Sequence, residues 1–314
     1  SELLIDYDVK VDLLTGSSKT RERNLIHSNL LSGKTNILVG THAILEDVVK
    51  FKNLGLSIID EQHRFGVAQR AKLWKKNNPA PHILVMTATP IPRTLAMSLY
   101  GDLDISYIKE LPPGRITTKT VHKYDRNRLS VFKFLKDQIN KGRQVYLVYP
   151  LINESEKLDY KDLMDGYESI VREFPRPDFQ VSIVHGKMKA KDKDYEMKRF
   201  INKETQILVS TTVIEVGVNV PNASVMVIES AERFGLSQLH QLRGRVGRGN
   251  DESYCVLMTK DKLSEDSKLR IETMVKVSDG FKLAEVDLKL RGPGDMLGTR
   301  QSGMLRFKLA DIVY

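Results

Sequence analysis

The stretch LGLSIIDEQH, residues 54–63, decides the fold of this chain. Residues 54–59 form an apolar run that is typical of a buried strand, and the carboxylates Asp60 and Glu61 follow at once. In this position one carboxylate can hold a hydrated Mg²⁺ on a nucleotide, and the next can orient or deprotonate the attacking water. An acidic pair after a strand can also be a solvated turn or a helix cap. The rest of the chain decides between these interpretations.

Length, charge and cysteine use limit the class of protein. The 314 residues indicate two domains at ~100–200 residues each. A net charge of +9 favours a polyanionic partner, and nucleic acid in particular. The single cysteine, Cys255, lies in an apolar run; it fits a reducing cytoplasm and is typical of a buried small hydrophobe. No apolar run reaches ~18 residues and no secretory signal is visible, so we expect a cytoplasmic protein without a membrane partner.

The first third of the chain alternates strand-like and helix-like segments, which predicts a parallel α/β sheet. The predicted strands are residues 9–14, 36–40, 54–59, 82–86 and 105–108. The predicted helices are residues 20–32, a short helix from 43, one around 67–76, and one ending at 100.

A stiff linker, LPPGR at residues 111–115, separates a second α/β series from the first. We expect a cleft between the two halves. The polar stretch 153–162 is interpreted as a surface loop. The predicted strands of this half are residues 117–124, 144–149, 181–184, 206–210, 225–228 and 254–258, and its first helices are residues 129–141, one ending near 174, and 189–202.

One short match to a phosphate-binding loop is a decoy. Residues 32–35, SGKT, resemble the end of G-x-x-x-x-G-K-[ST], but Ser28 stands where the first glycine belongs. A predicted helix precedes the match and a strand follows it, which reverses the order that a phosphate cradle requires. We therefore interpret Gly33 as a helix C-terminal cap.

The stretch HQLRGRVGRG, residues 240–249, is the strongest single motif. It alternates arginines with glycines, and a surface helix would not tolerate these glycines at ~1 kcal/mol each. The glycines suggest a close approach of the backbone to another domain or to a phosphate. Arginines facing a γ-phosphate can stabilise transition-state charge. The alternative is a loop that binds nucleic-acid phosphates without catalysis.

Further hydroxyl, histidine and lysine side chains follow predicted strands, at the sheet edge where parallel sheets place their ligands. Hydroxyls and amides there can bind nucleic-acid phosphates or, at Thr87 and Thr89, hydrogen-bond across a cleft, although each group alone can also be an ordinary turn. The seven histidines form no cluster with metal-ligand spacing. These candidates are Thr15, Gly16, Ser17, Thr41, His42, Thr87, Thr89, His185, Lys187, Thr211 and Thr212.

The motifs DEQH, TATPIPRT, HGKM, STTVIEVGVNVP and HQLRGRVGRG, in this order, resemble those of the superfamily 2 helicases. The resemblance implies two RecA-like domains, with ATP in the cleft and nucleic acid across the top. Asp60 would coordinate Mg²⁺ and Glu61 would activate water. Gln62, His63 and residues 87–89 would couple the ATP site to DNA. The remaining implied contacts are Gln241, Arg245 and Arg248 to the γ-phosphate, with Gly217 and Asn219 at the nucleotide.

The C-terminal segment, DLKLRGPGDMLGTRQSG at residues 287–303, resembles the translocation motif that the RecG family shares with the transcription–repair coupling factor. It implies a helical hairpin and loop that convert cleft closure into a step along duplex DNA. Gln62 and Pro293 favour the RecG family. The residues that would carry this step are Glu285, Arg291, Arg300 and Gln301.

The function that follows is an ATP-dependent translocase on double-stranded DNA that remodels stalled replication forks and Holliday junctions. It would be a monomer in the bacterial cytoplasm, associated with the nucleoid. The alternatives are a coupling-factor translocase and a non-catalytic nucleic-acid-binding module. The expected domains are a partial RecA-like domain at 1–112, a second at 113–275, and a truncated translocation motif at 276–314.

Two departures from the helicase pattern qualify this expectation. The phosphate-binding loop and the N-terminal wedge domain are missing from these residues, so we expect a C-terminal motor fragment that binds and hydrolyses ATP poorly by itself. Asn219 stands where the family usually has aspartate, which keeps hydrogen-bonding capacity but removes a charge.

Overall fold

A computed structural model describes residues 4, 6–61, 72–73, 75–87, 104–108, 110, 116–150, 156–211, 220–247, 249 and 251–291, with only the backbone for 156–161 and 291. The chain divides into two compact units, Ser1–Ala88 and Thr89–Tyr314. Across the described part, no helix combines the length and the apolar character needed to span a membrane.

The first ladder of unit 1 pairs β1 (Val11–Leu14) with β2 (Ile37–Gly40) in parallel. Helix α1 (Thr20–Ser32) connects them and packs Ile26 and Leu30 against Leu14. It ends at Gly33, whose φ of 78° is the left-handed conformation that closes a helix. The prediction that Gly33 is a helix cap is confirmed.

The second ladder of unit 1 pairs β3 (Leu56–Ile59) with β4 (His82–Val85), again in parallel. A 3₁₀ helix, His42–Leu45, precedes it. Ile59 packs with Leu45 and Leu73, which anchors the end of β3 in a small core. The register places Ile59 opposite Val85, so both strands end at the same sheet edge.

Unit 2 contains a six-stranded sheet in which every neighbouring pair of strands is parallel. In sheet order the strands are β5 (Lys119–Tyr124), β10 (Tyr254–Thr259), β9 (Ala223–Ile228), β6 (Gln144–Tyr149), β8 (Ile207–Thr211) and β7 (Val181–Val184). The inner strands are almost continuously buried, as expected for a parallel sheet covered on both faces.

Helices cover both faces of this sheet. On one face the helical residues Leu135 and Leu163 pack on the sheet, and on the other face the helical residues Leu239 and Ile271 do so. Cys255 is fully buried, and burial raises the pKa of its thiol to about 12, which agrees with a small hydrophobe. The helices are α2 (Arg128–Asn140), α3 (Glu156–Glu173), α4 (Ala190–Ile201), α5 (Leu236–Arg243), α6 (Glu265–Lys276) and α7 (Gly280–Arg291).

The structure confirms the parallel α/β prediction and corrects two local ones. Most of the expected loop 153–162 belongs to α3, which begins at Glu156. Glutamate and lysine are good helix formers, so polarity alone did not identify a loop. Residues 105–108, predicted as a strand, form none; Tyr107 instead packs edge-to-face on Phe281, with ring centroids 5.1 Å apart. The helix expected at 67–76 lies mostly outside the described residues.

Candidate functional site

The carboxylates Asp60 and Glu61 follow β3 at the edge where Thr87 follows β4. The N–H of Met86 donates to the carbonyl of Ile59 at 2.8 Å, so the ladder continues to the point where these side chains begin. The Glu61 N–H donates to Asp60 Oδ1 at 2.9 Å. Asp60 is exposed, and its Oδ2 has no hydrogen bond or ion pair within the described residues. An exposed carboxylate oxygen fits Mg²⁺, which keeps most of its waters and takes one or two carboxylates.

Glu61 adopts an unusual backbone conformation. Its φ is 50°, in the left-handed region that non-glycine residues rarely visit. Such a residue costs of order 1–3 kcal/mol and is found where the surrounding structure imposes it, often at functional sites. The Glu61 side chain is half-buried, whereas the Asp60 side chain beside it is exposed.

The ends of β1 and β2 form a second edge of hydroxyl groups in unit 1. Thr15 Oγ1 lies 3.0 Å from Ser17 Oγ, and the Thr41 N–H donates to the carbonyl of Leu14 at 3.3 Å. Gly16 has open space around its Cα, whereas Gly40 does not: a Cβ there would stand 2.0 Å from the Leu14 carbonyl oxygen. Thr15, Gly16, Ser17, Thr41 and His42 therefore meet at one exposed edge, which can present hydroxyls and N–H groups to a phosphate chain.

In unit 2, His185 and Lys187 follow β7 and Thr211 ends the neighbouring strand β8. Burial and the charges of Lys193 and Lys187 lower the pKa of His185, so the imidazole is neutral near pH 7. The Thr211 hydroxyl is buried without a hydrogen-bond partner among the described residues. An unsatisfied buried hydroxyl at a strand end is a candidate ligand contact.

The HQLRGRVGRG motif ends α5 and turns toward β10. Gln241 and Arg245 are half-buried, and the Arg245 guanidinium has no hydrogen bond or ion pair within the described part of the chain. Gly247 has φ 77°, and a Cβ there would lie 2.6 Å from Ser253 Oγ and 2.9 Å from Thr118 Oγ1. The sequence suggested a close approach of these glycines to another domain or to a phosphate. At Gly247 the close neighbours within the described residues are Ser253 and Thr118, which directly precede β10 and β5 in the same unit.

Two features of unit 2 were not identified from the sequence. Arg243, the arginine of the motif that was not assigned to the γ-phosphate, is 6% exposed and donates to a buried backbone carbonyl. Glu229, directly after β9, is 4% exposed, and its carboxylate accepts hydrogen bonds from both terminal nitrogens of Arg128, at 2.6 and 2.8 Å. A carboxylate after a buried strand was a usable signal for Glu229, as it was for Asp60.

The remaining candidates divide between α7 and the undescribed residues. Glu285 is exposed on α7, and Arg291 is the last residue of that helix. Gln62, His63, Thr89, Thr212, Gly217, Asn219, Arg248, Arg300 and Gln301 lie outside the described residues.

Three family models match the chain in succession. A DEAD/DEAH box helicase model matches residues 1–98, and a helicase conserved C-terminal domain matches residues 130–250. A model described as ATP-dependent DNA helicase RecG, domain 3, C-terminal, matches residues 277–314. These matches confirm the RecA-like helicase fold predicted from the motifs.

Similar proteins carry the same name along most of the chain. Proteins named ATP-dependent DNA helicase RecG are 54% identical in Synechocystis, 52% in Aquifex aeolicus and 51% in Bacillus subtilis. They cover 96%, 99% and 98% of this chain, but the chain spans only 36%, 40% and 45% of theirs. None of these three bears the coupling-factor name, so that alternative finds no support among them.

Solved structures give the same result. A structure of RecG bound to a three-way DNA junction matches with a TM-score of 0.73 and 43% identity, covering 94% of this chain and 38% of that one. The helicase MrfA bound to DNA matches with a TM-score of 0.63 at 16% identity, covering 90% of this chain and 44% of that one, a likeness of fold alone.

Proposed function

We propose, from the premise that this chain belongs to the RecG family of ATP-dependent DNA helicases, that the protein containing it is a motor that moves along double-stranded DNA and remodels branched DNA. The observation that carries the proposal is 51–54% identity to RecG proteins over 96–99% of the chain. The structural likeness to RecG bound to a three-way junction supports a branched substrate.

The acidic turn after β3 would serve the nucleotide. Asp60 would hold Mg²⁺ through its exposed carboxylate, and Glu61 would take a proton from, or orient, the attacking water. Bound Mg²⁺-ATP supplies the phosphoryl chemistry. Gln62, His63, Thr87 and Thr89 would relay the state of this turn to the DNA-binding edge. The position of Thr87 beside the Asp60 turn, one strand away, supports that role.

The 240–249 motif, at the end of α5, would supply positive charge to the negatively charged γ-phosphate. Arg245 and Arg248 would contact the γ-phosphate and stabilise the charge that builds up on it, with Gln241 beside them. The Arg245 guanidinium, without a hydrogen-bond or ion-pair partner among the described residues, supports this assignment. Gly217 and Asn219 would contact the nucleotide.

The hydroxyl-bearing strand ends would bind the DNA backbone, which makes their contacts independent of base sequence. The net charge of +9 favours such a partner. The C-terminal motif would convert closure of the ATP cleft into a step of the protein along duplex DNA. The DNA contacts are Thr15, Gly16, Ser17, Thr41, His42, His185, Lys187, Thr211 and Thr212, and the translocation residues are Glu285, Arg291, Arg300 and Gln301.

The proposed domain boundaries are those of the motifs: residues 1–112, 113–275 and 276–314. The contact-based division at residues 88 and 89 lies nearest the first of these boundaries. We infer that the protein acts in the bacterial cytoplasm and associates with the nucleoid, because the relatives named as RecG DNA helicases come from bacteria. That it acts as a monomer stays a prediction.

The test is ATP turnover by the full-length protein, without DNA and with a three-way junction. We expect the junction to stimulate turnover, and Glu61→Gln to lower it by about 10²- to 10⁴-fold while ATP still binds. Glu173→Gln, which removes a carboxylate that pairs with Lys136 on α2, is the matched control and should stay within twofold of wild type. The motor proposal is overturned if the junction does not stimulate ATP turnover by the wild-type protein. The role of Glu61 is overturned if Glu61→Gln has full ATP turnover.

A further inference from the structure

Arg243, the last residue of α5, is a buried cation bound to backbone carbonyls. Its Nη1 donates to the carbonyl of Met274 at 3.1 Å and to that of Val277 at 2.9 Å. Its Nη2 donates to the carbonyl of Ser278 at 3.0 Å and lies 3.0 Å from His240 Nδ1. One guanidinium therefore joins the end of α5 to the turn between α6 and α7.

These contacts need an arginine. The carbonyls lie where α6 ends, and the last carbonyls of a helix have no partners within it and carry its negative dipole end. The planar guanidinium offers five donors in a fixed fork, whereas the ammonium of lysine is a point charge. Within the described residues no carboxylate forms an ion pair with Arg243, so carbonyl dipoles balance its buried charge. That burial is costly unless the hydrogen bonds are complete.

Arg245 is two residues beyond this anchor, and its backbone is fixed on both sides. Its N–H donates to the carbonyl of Leu242 at 3.0 Å, inside the last turn of α5. Val246 is fully buried, and Gly247 lies against Ser253 and Thr118, the residues directly before β10 and β5. The orientation of the Arg245 side chain therefore depends on where Arg243 holds the end of α5.

A second contact joins the same two elements. The Ser237 hydroxyl, in the first turn of α5, donates to Asp287 Oδ2 of α7 at 3.1 Å, and Asp287 is only 3% exposed. Helix α5 is thus attached near its start to α7 and at its end to the α6–α7 turn.

We propose that Arg243 is a positioning residue: it holds Arg245 in the orientation that serves the γ-phosphate and makes that orientation depend on the α6–α7 turn. The inference rests on the proposed ATPase function. Arg243 is not assigned a phosphate contact, because both of its terminal nitrogens already donate to carbonyls or to His240.

The test is a double-mutant cycle in the full-length protein at saturating three-way junction. Arg243→Lys should lower kcat for ATP about tenfold and leave KM within threefold. Arg245→Ala should lower kcat about 10³-fold. The double variant should match Arg245→Ala within twofold, because a residue that acts through Arg245 has nothing left to position. Arg199→Lys, which shortens an arginine paired with Glu196 on α4, should stay within twofold of wild type.

A second, milder variant keeps the proposal testable if Arg243→Lys does not fold. His240→Phe keeps a ring of similar size but removes the acceptor for Arg243 Nη2, and should lower kcat about threefold, again only when Arg245 is present. The proposal is overturned if either substitution lowers kcat equally with and without Arg245, or if both lower the Tm and leave kcat unchanged. Wild-type protein without DNA-stimulated turnover would instead refute the proposed function, so the two failures are distinguishable.

Discussion

Two glycines of one motif, Gly244 and Gly247, should respond oppositely to the same substitution. Gly247 has φ 77°, and a left-handed conformation costs an alanine about 1–2 kcal/mol. Its new methyl group would stand 2.6 Å from Ser253 Oγ and 2.9 Å from Thr118 Oγ1, whose mutual hydrogen bond is 3.0 Å long. Forcing these hydroxyls apart adds about 1–3 kcal/mol. Gly247→Ala should therefore destabilise unit 2 by about 2–5 kcal/mol.

Gly244 provides the matched control. Its φ is −69°, which alanine adopts freely, and a Cβ there would meet nothing closer than the Gln241 carbonyl oxygen at 3.4 Å. Gly244→Ala should leave the free energy of unfolding unchanged or raise it by up to ~1 kcal/mol, because alanine narrows the unfolded ensemble.

Calorimetric unfolding of the two variants and wild type measures the difference. For a unit of this size each 1 kcal/mol shifts Tm by roughly 2–4 °C, so Gly247→Ala should unfold roughly 10 °C lower. Equal Tm values for the two variants, or a Gly247→Ala variant within the error of wild type, would refute the argument from φ and close approach.

Two further predictions for unit 2, one on the buried Glu229 carboxylate and one on the half-buried His240 imidazole, are tested through its unfolding free energy. Arg128→Met leaves Glu229 buried without its partner and should lower the free energy of unfolding by about 3–5 kcal/mol. Adding Glu229→Leu should restore part of this loss. A double variant that is no more stable than Arg128→Met contradicts the prediction. Burial, with the charge of Arg243, lowers the pKa of His240 from 6.5 to about 4. The unfolded chain then binds the proton more readily, so the stability due to neutral His240 is complete above pH 6.5 and is lost as the pH falls toward 4. Urea unfolding from pH 7 to 5 should show this loss, and His240→Asn, whose side-chain oxygen can still accept from Arg243, should show less of it.

Local patterns predicted most strands and helices because buried parallel strands and capped helices have strong signals. The bounds predicted for α1, β6 and β7 agree with the structure, and Gly33 closes α1 as expected. The patterns failed where two structures share one composition. The charged sequence at the start of α3 is compatible with either a loop or a helix. The apolar stretch around Tyr107 suggested a strand, but Tyr107 packs on Phe281 and not in a sheet.

By itself the sequence determined which side chains follow the strands: Asp60 and Glu61 after β3, Thr87 after β4, Thr211 at the end of β8. That information is local, because a parallel sheet collects its strand ends at one edge whatever the rest of the chain does. Only the tertiary structure showed that Arg243 is buried and bound to backbone carbonyls, whereas Arg245 is half-buried and has no hydrogen-bond or ion-pair partner among the described residues. Arg243 and Arg245 have the same chemistry and nearly the same neighbours in sequence. The carbonyls that bind Arg243 come from residues 274–278, 31 to 35 positions further along the chain, so its immediate sequence does not show them. Because its guanidinium is buried against these carbonyls, Arg243 holds the end of α5 in place.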